Sequence, residues 1–214
     1  MIEGLDALPE PIRHHILHSM HSNISIRHVY HVTELIYCLA KCYHNRVHGS
    51  TEPRLEQAWP IYRGNIFDDA WTQLFPLNQV PMLLEDRGVY IVGKADFIHE
   101  GVVYDLKTTA SLYYILREAA PKPEHVEQVQ TYHELLRRQG HRVDGCRLIY
   151  LDFGNHPLIF EVEPDSETLH RILIRAHRLD RALSEGASQG IQNPADWECG
   201  YCEHSSHCKE AQKC

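Results

Sequence analysis

Three side chains in the stretch GKADFIHEGVVYDLKTT, residues 93–109, could do hydrolytic chemistry together. They are Asp96, Asp105 and Lys107. Residues 89–98 are rich in β-branched and aromatic side chains, 99–101 (His-Glu-Gly) read as a turn, and 102–107 resume the strand pattern. Side chains alternate across a strand, so Asp105 and Lys107 point to one face and Leu106 to the other. Two carboxylates on neighbouring strands can hold a divalent metal, and an ammonium beside them can orient a water or offset developing negative charge. Phosphodiester hydrolysis needs that combination, because its barrier is mainly electrostatic and positional.

A second chemical stretch closes the chain. WECGYCEHSSHCKEAQKC places Cys199, Cys202, Cys208 and Cys214 at C-x2-C-x5-C-x5-C. A C-x2-C pair clamps a metal, or an iron of a cluster, with two thiolates. Seven cysteines in a chain expected to be intracellular argue for metal or cluster binding over disulfides. The chain has seventeen histidines, and pairs such as His14-His15 are expected to be surface residues rather than ligands.

The elements that must position these residues follow from periodicity. Residues 12–20 are a short helical stretch after Pro9 and Pro11, and 1–26 as a whole form an N-terminal extension without an assigned role. Residues 31–44 read as one helix, with Thr33 as N-cap and Leu35, Cys38, Leu39 and Cys42 as its apolar stripe. Residues 62–74 are an amphipathic helix near whose start Gly64 lies. Asp68 and Asp69 then fall in its first turns, where the helix dipole favours carboxylates. Residues 79–86 are a strand, turned at 86–88 into the central pair. A short helix at 112–117 is ended by Pro121 and Pro123. The helix 124–139 stacks Gln128 and Tyr132 on one face and ends in a basic cluster with Arg137 and Arg138. A hairpin of 145–152 and 158–163, with Cys146 in the core, and a helix 166–183 follow. On that helix Arg171, Arg175 and Arg178 make a stripe, read as a solvated face or a phosphate contact. Residues 185–194 are a linker.

Composition bounds the partners. The chain has 214 residues, 43% hydrophobic and 23% charged, which suits one globular unit over 1–214 with a full core. A formal charge of −8 excludes a global positive field, so a nucleic-acid site would be a local basic patch. No apolar run approaches the ~18 residues of a membrane span, and no signal-peptide pattern opens the chain. The expectation is a soluble, cytoplasmic protein without a membrane partner.

Taken together, residues 30–208 resemble the RecB-like branch of the PD-(D/E)XK nucleases. More narrowly, they resemble the CRISPR-associated iron–sulfur exonucleases, the fourth CRISPR-associated protein family. The resemblance rests on Cys38 in Cys38-Leu39-Ala40-Lys41-Cys42-Tyr43, on Gly64, on the Asp96, Asp105, Lys107 core, on Gln128 and Tyr132 as Q-x3-Y, and on Cys199, Cys202 and Cys208. It implies an α/β fold, a mixed sheet flanked by helices. It implies a cluster, usually [4Fe–4S], on Cys38, Cys199, Cys202 and Cys208, joining residues 27–60 to 195–214 and leaving Cys42 aside. Cys214 could take the place of Cys38, which would make the site purely C-terminal. It also implies Mg²⁺ or Mn²⁺ on Asp96, Asp105 and the Leu106 carbonyl, with Gln128 and Tyr132 orienting Lys107 or the phosphate. Where the family usually carries a histidine ligand, four residues after the glycine, this chain has Asp68. Asp69 is the nearest rival. The implied activity is single-stranded DNA exonuclease, mostly 5′-to-3′, trimming fragments for a CRISPR array beside the CRISPR integrase. The alternatives are a DNA-binding iron–sulfur or zinc scaffold with little turnover, and a RecB-like repair nuclease outside CRISPR.

Overall fold

A computed structural model describes residues 4–18, 25–49, 54–188, 190–191, 198–205 and 208. Cys214 lies outside them. The centre is a long antiparallel meander: β2 Leu77–Asp86, β3 Val89–His99 and β4 Val102–Thr108. Both connections are two-residue turns, Arg87-Gly88 and Glu100-Gly101. All four residues have positive φ: 50° and 83° in the first turn, 50° and 77° in the second. Such turns match the twist of the strands they join. His99, expected in the turn, belongs to the strand. β5 Gly145–Leu151 runs parallel to β4, and β6 Leu158–Val162 returns antiparallel beside β5. A short β1, Val29–His31, pairs parallel with β3. The result is a six-stranded mixed sheet in the order β1-β3-β4-β5-β6, with β2 also on β3.

Helices cover both faces. α4, Leu55–Thr72, packs on the face that carries Leu106, where Phe67, Trp71 and Phe75 meet Phe97, Ile149 and Leu151. α6, Pro123–Arg138, and α7, Ser166–Glu185, lie on the other face over the larger core of Ile91, Val103, Leu135, Leu148 and Leu169. α1, Glu10–His18, rests on α4 and buries Ile16 completely. α5, Tyr113–Glu118, leads from β4 toward α6. Among the described residues no helix is long and apolar enough to cross a membrane.

Two helices differ from the sequence expectation. The helix of 31–44 is two helices, α2 Val32–Ile36 and α3 Leu39–His48, with a break at Tyr37 and Cys38. His31, rather than Thr33, caps α2, and the carboxylate of Glu34 in its first turn accepts the His31 N–H at 2.8 Å. At the break the Glu198 carboxylate accepts the Cys38 N–H at 2.9 Å. Arg175 donates to the carbonyls of Ile36 at 2.8 Å and Tyr37 at 2.6 Å. The orphaned groups of two helix ends are thus satisfied by side chains from α7 and the C-terminal tail. The second difference is α4, which begins seven residues before the expected 62 and runs through Pro60 and Gly64. Asp68 and Asp69 therefore stand in its last turns, so a favourable helix dipole does not account for them.

Candidate active site

On β4 the alternation divides the chemistry between the two faces. Asp105 and Lys107 point under α6, and Asp105 is 2% exposed. The Lys107 ammonium lies 2.7 Å from Asp105 Oδ2 and donates to Gln128 Oε1 at 3.0 Å. The Gln128 amide in turn donates to Asp105 Oδ1 at 3.3 Å and to Tyr132 Oη at 2.8 Å. One turn of α6 separates Gln128 from Tyr132, so the helix presents both to the same spot. Tyr132 can reach it because its ring lies over Gly93: a Cβ there would stand 3.0 Å from Tyr132 Cε1. The four side chains form a closed ring of contacts in which Asp105 Oδ2 meets Lys107 as an ion pair without hydrogen-bond alignment, and a buried ion pair needs such polar neighbours to offset its desolvation.

Asp96 connects this network to solvent. Regular β3–β4 pairing runs from His99–Val102 to Phe97–Tyr104, and the Asp96 carboxylate then accepts the Leu106 N–H at 2.5 Å. Asp96, Leu106 and Thr108 line one wall of a cleft of about 360 Å³ whose other wall is α4, through Pro60, Gly64 and Asp68. A Cβ on Gly64 would meet Thr108 Oγ1 at 3.1 Å, so glycine keeps this wall close. Asp68 Oδ2 accepts from Gln79 at 3.0 Å, whereas its buried Oδ1 has no hydrogen-bond partner among the described residues. Asp69 is exposed.

The electrostatics follow from this burial. Burial, then the neighbouring Asp105 charge, pushes Asp96 up to about 8. Burial raises Asp68 and Asp105 as well, against the pull of Gln79 on the first and of Lys107 on the second. For Lys107 burial acts downward, but the Asp105 carboxylate outweighs it and the ammonium is held above its ordinary range. The metal-free folded protein thus keeps a proton on Asp96 that the unfolded chain releases near pH 4, so this group's stabilising contribution falls as pH rises through about 8. His125, held down to about 3 by burial and then by Lys107 and Lys122, acts the opposite way, but only below its unfolded value near 6.5. In EDTA the melting temperature should therefore decline between pH 6.5 and 8.5, and Asp96→Asn should flatten that decline. An unchanged slope in the variant would refute the buried, protonated Asp96.

The donors suit a hard divalent cation. All are oxygens, they come from α4, β3 and β4, and the orphaned Asp68 Oδ1 is costly unless a cation or donor meets it. As they stand, Asp96 and Asp105 are engaged with the Leu106 N–H and Lys107. Among the described residues no three His, Cys, Asp or Glu side chains are near enough to clamp an ion together.

The cysteines divide in the same way. Cys38 is buried at the start of α3, beneath the tail segment anchored by Glu198 and by His204, whose Nε2 lies 2.5 Å from Asn45 Oδ1. Cys208 packs against the core, and Cys202 is half-buried. Burial raises the Cys202 thiol, and Cys38 and Cys208 are among the charges that act on it. Cys199 lies in a 3₁₀ turn, Cys199–Tyr201. The donor types fit a cluster and the tail reaches Cys38, but the thiols are not gathered at ligating distances. Cys42 donates to the Glu34 carbonyl at 2.9 Å and Cys146 to the Val162 carbonyl at 3.2 Å. Burial pushes both thiols up to about 12, as suits core residues.

Two site neighbours escaped the sequence. His125 lies three residues before Gln128, a spacing that already put it on the same face. It bonds Tyr150 Oη at 2.8 Å and feels the Lys107 charge. Tyr37, raised by burial, senses Lys107 and Asp105, and it sits at the break that helical periodicity ran through. The basic clusters stay at the surface, as a solvated face does: Arg137 and Arg138 pair with Glu134, Arg171 with Asp165, and Arg178 donates to the Gly190 carbonyl, while Arg175 alone turns inward.

A mixed sheet flanked by helices, with two strand carboxylates and a lysine beside a cleft, defines the restriction-endonuclease-like class. The chain belongs to the PD-(D/E)XK nuclease superfamily, whose sequence profile matches residues 32–209. Divalent-metal dependence is general to that superfamily. The fold is similar to the crystal structure of SSO0001, at 19% identity, TM-score 0.67, over 94% of this chain and 95% of that one. It is also similar to the alkaline exonuclease LHK-Exo from Laribacter hongkongensis, at 13% identity, TM-score 0.54, over 74% and 89%. LHK-Exo in complex with dAMP matches at 15%, TM-score 0.50, over 69% and 78%. Comparison with curated proteins returns no match.

Proposed function

We propose that this protein is a divalent-metal-dependent deoxyribonuclease that degrades single-stranded DNA from an end, 5′-to-3′. Its biological setting is CRISPR adaptation, where it trims fragments beside the integrase. The observation that carries the nuclease reading is the closed Asp105–Lys107–Gln128–Tyr132 network adjoining a cleft into which Asp68 and Asp96 face. Nucleotide binding by an exonuclease of this fold, seen in LHK-Exo with dAMP, agrees with it. The CRISPR setting and the polarity rest on the motif order around Cys38, Gly64, Gln128 and the C-terminal cysteines.

Asp68, Asp96, Asp105 and the Leu106 carbonyl would hold Mg²⁺ or Mn²⁺. Such an ion supplies Lewis-acid polarisation of the scissile phosphate. Lys107 acts from the opposite side of Asp105. Its ammonium, kept charged by that carboxylate and aimed by the Gln128 carbonyl, neutralises charge growing on the phosphorus oxygens. Tyr132 fixes the Gln128 amide so that its oxygen, not its nitrogen, faces Lys107. Cys38, Cys199, Cys202 and Cys208 would carry the iron–sulfur cluster, away from the reacting phosphate.

The test is digestion of 5′- and 3′-end-labelled single-stranded and duplex DNA, with Mg²⁺ or Mn²⁺ and with EDTA. Cleavage should need the metal and start at the 5′ end of single strands. Lys107→Ala should lower turnover by about 10²-fold or more, the scale of one lost transition-state contact, with little change in DNA affinity. A loss confined to affinity would make Lys107 a phosphate anchor instead.

A further inference from the structure

One wall of the cleft continues into a feature that the hydrolytic site does not use. On α4, Arg63 and Phe67 alternate with the cleft residues Gly64 and Asp68. Arg63 has no ion pair or hydrogen bond among the described residues, and its Nε is buried without an acceptor. Its guanidinium carbon lies 5.9 Å from the ring centroid of Trp59 and 5.9 Å from that of Phe153. In a chain of formal charge −8, an arginine facing two rings and no carboxylate is conspicuous.

Phe153 is 70% exposed, yet it is held in place. Its ring rests 5.2 Å from that of Phe67. Its loop is clamped by Asp152, whose Oδ1 accepts from the Gly154 N–H at 2.9 Å and the Asn155 N–H at 2.7 Å. Oδ2 accepts from the Asn155 side chain at 2.8 Å and the Leu112 N–H at 2.9 Å. The loop adjoins the cleft: Leu151, just before it, pairs with Thr108, which lines the cleft wall. A rigid exposed ring beside a half-buried cation is a surface for stacking a flat base and holding its phosphate.

We propose that Phe153 and Arg63 form a nucleotide-binding wall for the unpaired nucleotide next to the scissile phosphate. Phe153 stacks on the base and Arg63 meets the flanking phosphate. The inference rests on the nuclease reading and adds the residues that select unpaired strands. Inside a duplex, both faces of a base are covered by its neighbours, so the ring has nothing to stack on.

The test is fluorescence anisotropy of the full chain with labelled oligothymidylate in EDTA. Phe153→Ala and Phe153→Leu should weaken binding by about 5- to 150-fold, the scale of one base–aromatic stack. Phe153→Trp should bind at least as well as wild type. Arg63→Gln should reduce the salt dependence by about one released counterion. The leucine variant keeps the apolar bulk, so a fall in affinity with an unchanged melting temperature reports the lost π-face. The proposal is overturned if Phe153→Leu binds single strands like wild type, or weakens duplex binding as much as single-strand binding. A wild type that shows these effects but cuts no DNA would leave the wall standing and remove the nuclease reading. A wild type that cuts while Phe153→Leu changes nothing would do the reverse.

Discussion

An Asp105→Ala protein will cut no DNA. The substitution removes a carboxylate from the proposed metal site and strips Lys107 of its counter-charge, so two contributions to hydrolysis are lost together. Asp96→Ala should do the same from the cleft side. The alanine at 105 also leaves a buried ammonium facing only Gln128, and breaking a buried pair in this way costs about 3–5 kcal/mol. Lost activity could then be blamed on lost folding. Asp105→Asn narrows the choice, because it keeps the side-chain volume and one oxygen for Lys107 while removing the charge, although its amide NH₂ then faces the Gln128 amide. Digestion assays beside thermal melts should find both variants inactive, with Asp105→Asn melting above Asp105→Ala. Near-wild-type turnover in Asp105→Asn or in Asp96→Ala would mean that the site has been wrongly placed.

If the proposed cluster is held by Cys38, Cys199, Cys202 and Cys208, Cys38→Ser should lose iron, while Cys214→Ser should keep it. Cys38 sits at an ordered helix start whose N–H is already held by Glu198, 160 residues away, and Cys202 and Cys208 belong to the same neighbourhood. A ligand there needs little further ordering. Bridging Cys38 to the tail closes a loop long enough to constrain the unfolded chain by more than 4 kcal/mol, by the cross-link estimate of ~4.7 kcal/mol for a 100-residue loop. The melting temperature should fall on the order of 10 °C in Cys38→Ser. Iron and sulfide analysis of both proteins, purified without oxygen, decides the matter. A brown Cys38→Ser beside a colourless Cys214→Ser would give the fourth ligand to Cys214, and colourless, zinc-loaded wild type would remove the cluster.

The hairpin that carries Asp96, Asp105 and Lys107 was legible because its information is local. Strand alternation placed Asp105 with Lys107, helical spacing placed Gln128 with Tyr132, and Gly88 and Gly101 marked the turns. The break at Tyr37 was not legible: it depends on Glu198 and Arg175, which are 161 and 138 residues from Tyr37 and leave no periodic trace around it. The early start of α4 was hidden by Pro60, which usually argues against a helix interior. Of the arginine stripe on α7, Arg171 and Arg178 lie on the solvated face that helical spacing suggested, whereas the inward turn of Arg175 was likewise set by partners off its own helix, the Ile36 and Tyr37 carbonyls. Phe153 and Arg63 lie in different elements and become neighbours only when β5 pairs with β4.

β3 is the strand that pairs with three others, β1, β2 and β4. That placement fixes where the chain can accept a change of length. One residue added at the start of β3, before Tyr90, would turn the Asp96 carboxylate to the opposite face relative to β1 and β2 and, in the same step, shift the register against both of them, carrying β4 along with it. The Arg87-Gly88 turn, at the exposed tip of a hairpin, shares none of those ladders. An epitope tag or fluorescent insertion belongs there, and a deletion anywhere in the following strand does not.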